Sequence, residues 1–244
     1  MTASECRRRS RGDDGAMTTT MRPAIRCVVF DLDDTLYLER DYVVSGFRAV
    51  HRFVAMKYHV PDFFPTAWRL FLNGVRGHIF DRALAAMGIR ADARLISTLV
   101  EVYRNHEPDI KLAADAYSCL DQLSGRCQTA LITDGEPQMQ QKKFQALGLS
   151  QWIAIPVFTG SWGTEYSKPH PRAFERVLKK AGVSSEECVY VADNPLKDFV
   201  APRRMGWRTV RIRRPLGLHS AIAAGVMAPR YEFDNLLPLA ALVS

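Results

Sequence analysis

The sequence has no apolar run approaching the ~20 residues that a bilayer-spanning helix needs, which argues against a membrane protein. Its first 22 residues are rich in Arg, Ser, Thr and Asp and lack an apolar centre, so they do not read as a secretory signal. Glu5, Asp13 and Asp14 argue against a transit peptide. Residues 1–22 are predicted to be a disordered basic tail, with Met17 and Met21 as alternative initiators. Cysteine is sparse, with five residues and no Cys-x-x-Cys pair, and no Cys/His cluster has zinc-ligand spacing. Cys27 and Cys188 sit inside apolar runs and read as reduced core residues, so a cytoplasmic location is expected. Internal repeats are absent, as is low complexity outside the tail. The formal net charge is +7. Two Arg-rich stretches supply much of it: Arg7, Arg8, Arg9 and Arg11, then Arg203, Arg204, Arg208, Arg211, Arg213 and Arg214. No aromatic residues interleave with them in a nucleic-acid-binding pattern, so they are expected to form a solvated basic surface that attracts anionic metabolites.

What the chain does contain is a series of short Val/Ile-rich runs: Ile25–Phe30, Gln128–Ile132, Ile155–Phe158, Cys188–Ala192 and Arg208–Ile212. Continuous apolar runs of this length predict strands of a parallel sheet covered on both faces. Helical patterns alternate with them. Pro137–Leu147 begins with Pro and ends before Gly148, and Pro171–Ala181 repeats the device before Gly182. The predicted class is α/β, a doubly wound Rossmann-like parallel sheet.

One gap is too long for a simple crossover. About ninety residues separate the first two strands, where a dozen suffice. They carry helical stretches at Val43–Tyr58, Thr66–Val75, Ile79–Met87 and Leu95–His106. The expectation is an inserted all-helical module over residues 39–113, with 23–38 and 114–244 forming the α/β core. Such an insert would lie over the sheet's carboxyl edge, where open α/β sheets bind ligands.

Chemistry-bearing residues gather at the predicted strand ends. The first strand runs into Asp31-Leu32-Asp33-Asp34-Thr35. On an extended chain Asp31 and Asp33 would share a side, and their repulsion calls for a cation or a shared proton. The second strand ends in Thr133-Asp134-Gly135 just ahead of a helix, where a hydroxyl and free N–H groups suit a phosphate oxygen. Lys168-Pro169 precedes the helix at Pro171. The fourth strand ends in Asp193-Asn194-Pro195-Leu196-Lys197-Asp198, and oxygen ligands in this number suit Mg²⁺.

Together and in this order, Asp31-x-Asp33-x-Thr35, Thr133, Lys168 and Asp193 with Asp198 resemble the four motifs of the haloacid dehalogenase-like hydrolase superfamily. The resemblance runs from about Ile25 onward, and the insert resembles that family's helical cap. It implies Asp31 as nucleophile, Asp33 as general acid/base, and Thr133 and Lys168 as holders of the transferring phosphoryl group, with Thr35 and Asp134 in the same phosphate loops. It implies Mg²⁺ held by Asp31, Asp33 through its carbonyl, Asp193 and Asp198. Asp33 points to phosphate rather than halide as the leaving chemistry, because the family's dehalogenases lack Asp there. Asp134 departs from the Asn that many members carry.

The implied activity is a Mg²⁺-dependent phosphatase acting on a small phosphorylated metabolite, a phosphosugar, a nucleotide or a similar ester, through an aspartyl-phosphate. A phosphomutase on the same scaffold and a non-catalytic binding protein are the alternatives. No cap signature demands the first, and no motif residue is lost as the second would require. His78, His106, Arg69, Arg76 and Arg82 read as ordinary cap residues. Phe63, Phe64, Trp68 and Phe71 read as cap core, and Trp162 as a loop anchor or a substrate contact. The sequence carries no reading of oligomeric state.

Overall fold

A computed structural model of the chain describes residues 23–225 and 227–243. The basic tail read at 1–22 lies outside the described residues. Six parallel strands form one sheet: β1 Cys27–Phe30, β2 Gln128–Thr133, β3 Ile155–Phe158, β4 Cys188–Ala192, β5 Arg208–Ile212 and β6 Tyr231–Phe233. Their spatial order is β3-β2-β1-β4-β5-β6. The five strands expected from apolar runs are all present. β6 was not anticipated, because Tyr-Glu-Phe is too short and too polar to read as a buried strand.

The order reverses direction between β1 and β4, which makes the gap beyond their carboxyl ends the topological switch point of the sheet. Register fixes what meets there. Phe30 pairs with Val191 on one side and Leu131 on the other, and the Asp31 N–H continues the ladder to the Val191 carbonyl at 2.8 Å. Asp31 therefore emerges beside the residues that follow Ala192.

Alternation along β1 feeds two apolar layers. Val28 and Phe30 face a cluster with Leu120 and Leu123 of α5 (Ala114–Leu123) and Phe144 of α6 (Pro137–Ala146). Cys27 and Val29 face a cluster with Phe174 and Val177 of α7 (Arg172–Ala181), together with Phe199 and Trp207. Each layer covers one sheet face, which is why the strands read as unbroken apolar runs. The remaining core helices are short: α8 Val200–Arg204 and α9 Leu239–Leu242.

Between β1 and β2 lie α1 Glu39–Tyr58, α2 Phe63–Leu72, α3 Ile79–Ala86 and α4 Ala93–Asn105, ahead of α5. These four build an apolar cluster of their own around Phe47, Val54, Phe63, Phe71, Leu84 and Leu99. α1 starts four residues earlier than the apolar pattern suggested, because the Asp34 carboxylate accepts the Glu39 N–H at 2.9 Å and caps it from a distance. α2 starts at Phe63 because Pro65 falls in the first turn, where its missing N–H costs nothing. Phe64, Trp68 and Phe71 stack along α2, with Arg40 over Trp68. No helix among the described residues is long and apolar enough to cross a membrane.

The Arg-rich C-terminal stretch is not uniformly solvated, contrary to the sequence reading. Arg211 and Arg214 are buried at 2% and 7% exposure. Arg214 donates twice to the Thr35 carbonyl and makes a two-point pair with Asp115. Arg211 donates to the Asp193, His219 and Ile222 carbonyls and to Glu232. Guanidinium groups satisfy several acceptors in fixed geometry, so these two arginines serve as internal struts.

Candidate active site

Asp31, Asp33, Thr133, Asp134 and Asp193 line one cavity of about 330 Å³ at the carboxyl ends of β1, β2 and β4. Residues separated by more than 160 positions in the sequence meet there because the switch point brings their strand ends together. Asp31 and Asp33 lie past the end of β1, with a bend at Leu32 between them and a turn at Asp34–Leu36 that closes an isolated bridge from Asp33 to Tyr37.

Lys168 and Asp198 sit behind Asp31 as a buried floor. Lys168 Nζ donates to Asp31 at 2.6 Å and to the Tyr190 hydroxyl at 3.0 Å, and pairs with Asp198 at 2.9 Å. Asp198 also accepts the Asn194 N–H at 2.9 Å, which closes the turn after β4. Burial pushes the Asp31 carboxyl well above the usual range. Lys168 opposes that rise, and the crowding of Asp198 and Asp193 adds to it.

Asp33 has different partners. Lys143 donates to it at 2.8 Å, Gln140 at 2.9 Å, and the Tyr37 hydroxyl donates as well. Burial alone would raise the Asp33 carboxyl; the Lys143 charge and these three bonds outweigh it and hold the group below its ordinary value. Lys143 is itself buried, with its ammonium 4.3 Å from the centre of the Tyr42 ring. Gln140 also donates to the Thr133 hydroxyl at 2.9 Å, so one amide spans two of the sequence motifs.

Asp134 joins three loops. Its carboxylate accepts from Thr159 at 2.8 Å, from the Lys168 N–H at 3.1 Å and from Lys197 at 2.7 Å. An Asn there could not pair with Lys197 as an anion, which gives the sequence departure a local reason. Thr35 does not reach the cavity wall; it is fully buried behind it, and its carbonyl carries the two Arg214 bonds.

Asp193 accepts from His219 Nδ1 at 2.8 Å, and this contact raises the imidazole above its usual range. Asn194 bonds His219 Nε2 at 3.1 Å and the Leu196 N–H at 3.0 Å, so it turns the loop and does not touch Asp31. Trp162 lies under Arg172 and Arg176, away from the cavity, as a loop anchor. His106 is buried against Tyr103 and Tyr42.

The donor set suits a hard cation. One carboxylate oxygen each from Asp31, Asp193 and Asp198 lie within 4.8 Å of one another, and all three residues are buried. Three buried carboxylates against a single buried lysine leave excess negative charge that a divalent ion would offset. Asp34, Asp193 and His219 form a second such group.

A family model described as a haloacid dehalogenase-like hydrolase matches residues 25–206. The chain belongs to that family. Within it, the chain is 28% identical over 201 residues to the glyceraldehyde 3-phosphate phosphatase of Methanocaldococcus jannaschii, covering 77% of this chain and 85% of that protein. It is 38% identical over 87 residues to the phosphoserine phosphatase of Thermus thermophilus, about a third of each chain (36% and 34%). Among solved structures it resembles the magnesium-bound HAD-hydrolase YfnB of Bacillus subtilis, with a TM-score of 0.64, 19% identity, and coverage of 91% of this chain and all of that one. That likeness is one of fold.

Sequence reasoning did not single out Lys143, Gln140, Glu39, Arg211 or His219 in this haloacid dehalogenase-like site. Arg211 and His219 lie beyond the matched span. Lys143 and Gln140 share one face of α6 at (i, i+3) spacing, the only sequence signal they offered.

Proposed function

We propose that the protein is a Mg²⁺-dependent phosphatase that hydrolyses a small phosphomonoester through a covalent aspartyl-phosphate on Asp31. The observation that carries this is the division of partners between the two carboxylates in one cavity. Asp31 is paired to Lys168, and Asp33 is tied to a separate cluster of Lys143, Gln140 and Tyr37. Two carboxylates in distinct environments can take distinct roles. Phosphatase names among the relatives support the same reading.

In the first step an Asp31 oxygen attacks phosphorus and the bond to the ester oxygen breaks. Asp33, ionised in the free site, takes the proton that the bound phosphomonoester monoanion carries and passes it to that leaving oxygen. In the second step water attacks the phosphorus of the aspartyl-phosphate, Asp33 takes the water's proton, and the Asp31 carboxylate departs as inorganic phosphate forms. Lys168, the Thr133 hydroxyl and the N–H groups at Gly135 supply positive charge and donors for the phosphoryl oxygens. Asp31, Asp193 and Asp198 would hold the Mg²⁺, whose charge offsets that of the phosphoryl group. Residues 39–113 are proposed to act as the cap over a core of 23–38 and 114–244, excluding water during the first step.

The test is inorganic phosphate release from a panel of phosphomonoesters, with Mg²⁺ and with a chelator. Release that depends on Mg²⁺ is expected. Conversion of a sugar phosphate to its isomer without net release would point to a mutase instead.

A further inference from the structure

A second cavity of about 510 Å³ adjoins the catalytic one. Glu39 lines both. Leu218 lines the second and its neighbour His219 lines the first. Asp34 locks the junction: its two carboxylate oxygens accept the Glu39 N–H at 2.9 Å and the Leu218 N–H at 2.7 Å. The two spaces therefore share a wall held by a single side chain.

The second cavity is built by the helical insert together with Leu218, and its lining is mainly apolar, with Glu39, Arg76, His78 and Asp81 among it. Ile96, Val100 and Tyr103 present one face of α4 at i, i+4, i+7 spacing, opposite Val43 and Phe47 of α1 and Phe80 of α3. Arg76 is folded against this wall, stacked 4.1 Å from the centre of the Phe71 ring and donating to the Phe71 and Val75 carbonyls. His78 is exposed and Asp81 half-buried, and their side chains approach within 3.8 Å of each other. At the shared seam, burial first and then the negative charge of Asp33 push the Glu39 carboxyl up to about 7.

Such a wall offers little to a polyhydroxylated ligand. Sugar hydroxyls seated against its apolar face would lose water and gain few partners. An aliphatic or aromatic group loses nothing comparable and gains burial. Pockets of ~300–1,000 Å³ lined mainly by apolar and aromatic side chains are the usual size for a small organic ligand.

We propose that the leaving alcohol of the ester is apolar, an alkyl or aryl group, and that it fills this cavity while the phosphoryl group lies over Asp31 in the catalytic cavity. The proposal rests on the phosphatase reading of the neighbouring cavity. It separates this chain's substrate from the triose phosphate named for its relative.

The experiment compares kcat/KM across n-alkyl phosphates of rising length and benzyl phosphate with that for glucose 6-phosphate, glyceraldehyde 3-phosphate and nucleoside monophosphates, all with Mg²⁺. The expected result is a gain of about fourfold per added methylene until the cavity is full, the equivalent of ~0.8 kcal/mol per buried CH₂. Polar esters are expected to lie at least about tenfold lower. Val100→Glu, placing a charge in the wall, should flatten the chain-length slope. Calorimetry of n-alkylphosphonates on Asp31→Asn protein gives the slope without turnover and without a cavity variant. A flat series in both measurements, with polar esters hydrolysed as well or better, overturns the apolar proposal and leaves the phosphatase reading intact. So does a slope that persists in a folded Val100→Glu protein. No phosphate release from any ester overturns the phosphatase reading and the proposal with it.

Discussion

Asp31 and Lys168 meet across 137 positions of sequence at 2.6 Å, and the rest of the site is arranged around that pair. Asp31→Asn keeps the shape and removes the proposed nucleophile. Turnover is expected to fall at least about 1,000-fold, with an unchanged circular dichroism spectrum. Lys143 is the less obvious residue. Its ammonium is the strongest influence keeping Asp33 ionised and in place, and nothing in the motif pattern marks it. Lys143→Met is expected to lower kcat about 100-fold, the usual scale of acid–base assistance, with a smaller change in KM. Single-turnover kinetics would show the loss in the chemical step. Equal loss in KM alone would assign Lys143 to binding instead. Asp31 and Asp193 were legible in the sequence because each directly follows an apolar run. Lys143 and Gln140 were not, because a polar residue on an amphipathic helix reads as solvent-facing until the fold places that helix over a site.

At the scale of elements, close approach of α1 to α4 shapes the insert. Gly46 faces the Tyr103 ring, and a β-carbon built there would fall inside van der Waals contact of it. Gly46→Ala should lower stability by about 1–3 kcal/mol as the two helices separate. Thermal unfolding measures this, and an unchanged midpoint would mean that the helices part freely. Gly160 plays a similar part beside the phosphate loop, where an added β-carbon would strike the Gly135 carbonyl. A second element-level contact ties α5 to the loop carrying Thr35 through the Asp115–Arg214 pair at 2.9 Å. Burial would raise the Asp115 carboxyl, but bonds from Arg214 and the Leu236 N–H hold it below its ordinary value of 3.8. A depressed carboxylate contributes stability that is present above the unfolded pKa and is lost as pH falls through the folded one. Asp115→Asn is therefore expected to lower the urea midpoint at neutral pH, with the gap from wild type narrowing as pH drops below about 3.8. A gap constant down to pH 3 would show that the pair contributes nothing electrostatic. α5 and β6 were the elements least visible in the sequence. Ala-Asp-Ala-Tyr-Ser-Cys-Leu-Asp-Gln-Leu has a weak pattern, and β6 is held by its partner strand and by Glu232, which meets Arg211 and Arg213.

For the molecule as a whole, a divalent cation held by the buried carboxylates at the switch point would make folding and cation binding interdependent. An ion that binds only the folded chain stabilises it by mass action, ~2.7 kcal/mol at a hundred times its dissociation constant. For a chain of this size that corresponds to a midpoint rise of roughly 5–11 °C with Mg²⁺. Asp193→Ser should abolish the rise. A rise of the same size in that variant would place the ion elsewhere.

The sequence by itself determined the alternation of apolar strands and helices, and with it the α/β class. It also marked the carboxylates and hydroxyl at strand ends, because burial on both faces leaves a run of Val and Ile that stops where the polar residues begin, and the lysine just ahead of α7. Only the tertiary structure decided which polar residues on helices turn inward, which arginines are buried struts and that the helical insert encloses an apolar space beside the catalytic cavity. Those outcomes depend on which faces meet across the fold, and a linear pattern of hydrophobicity holds no record of a residue's partner a hundred positions away.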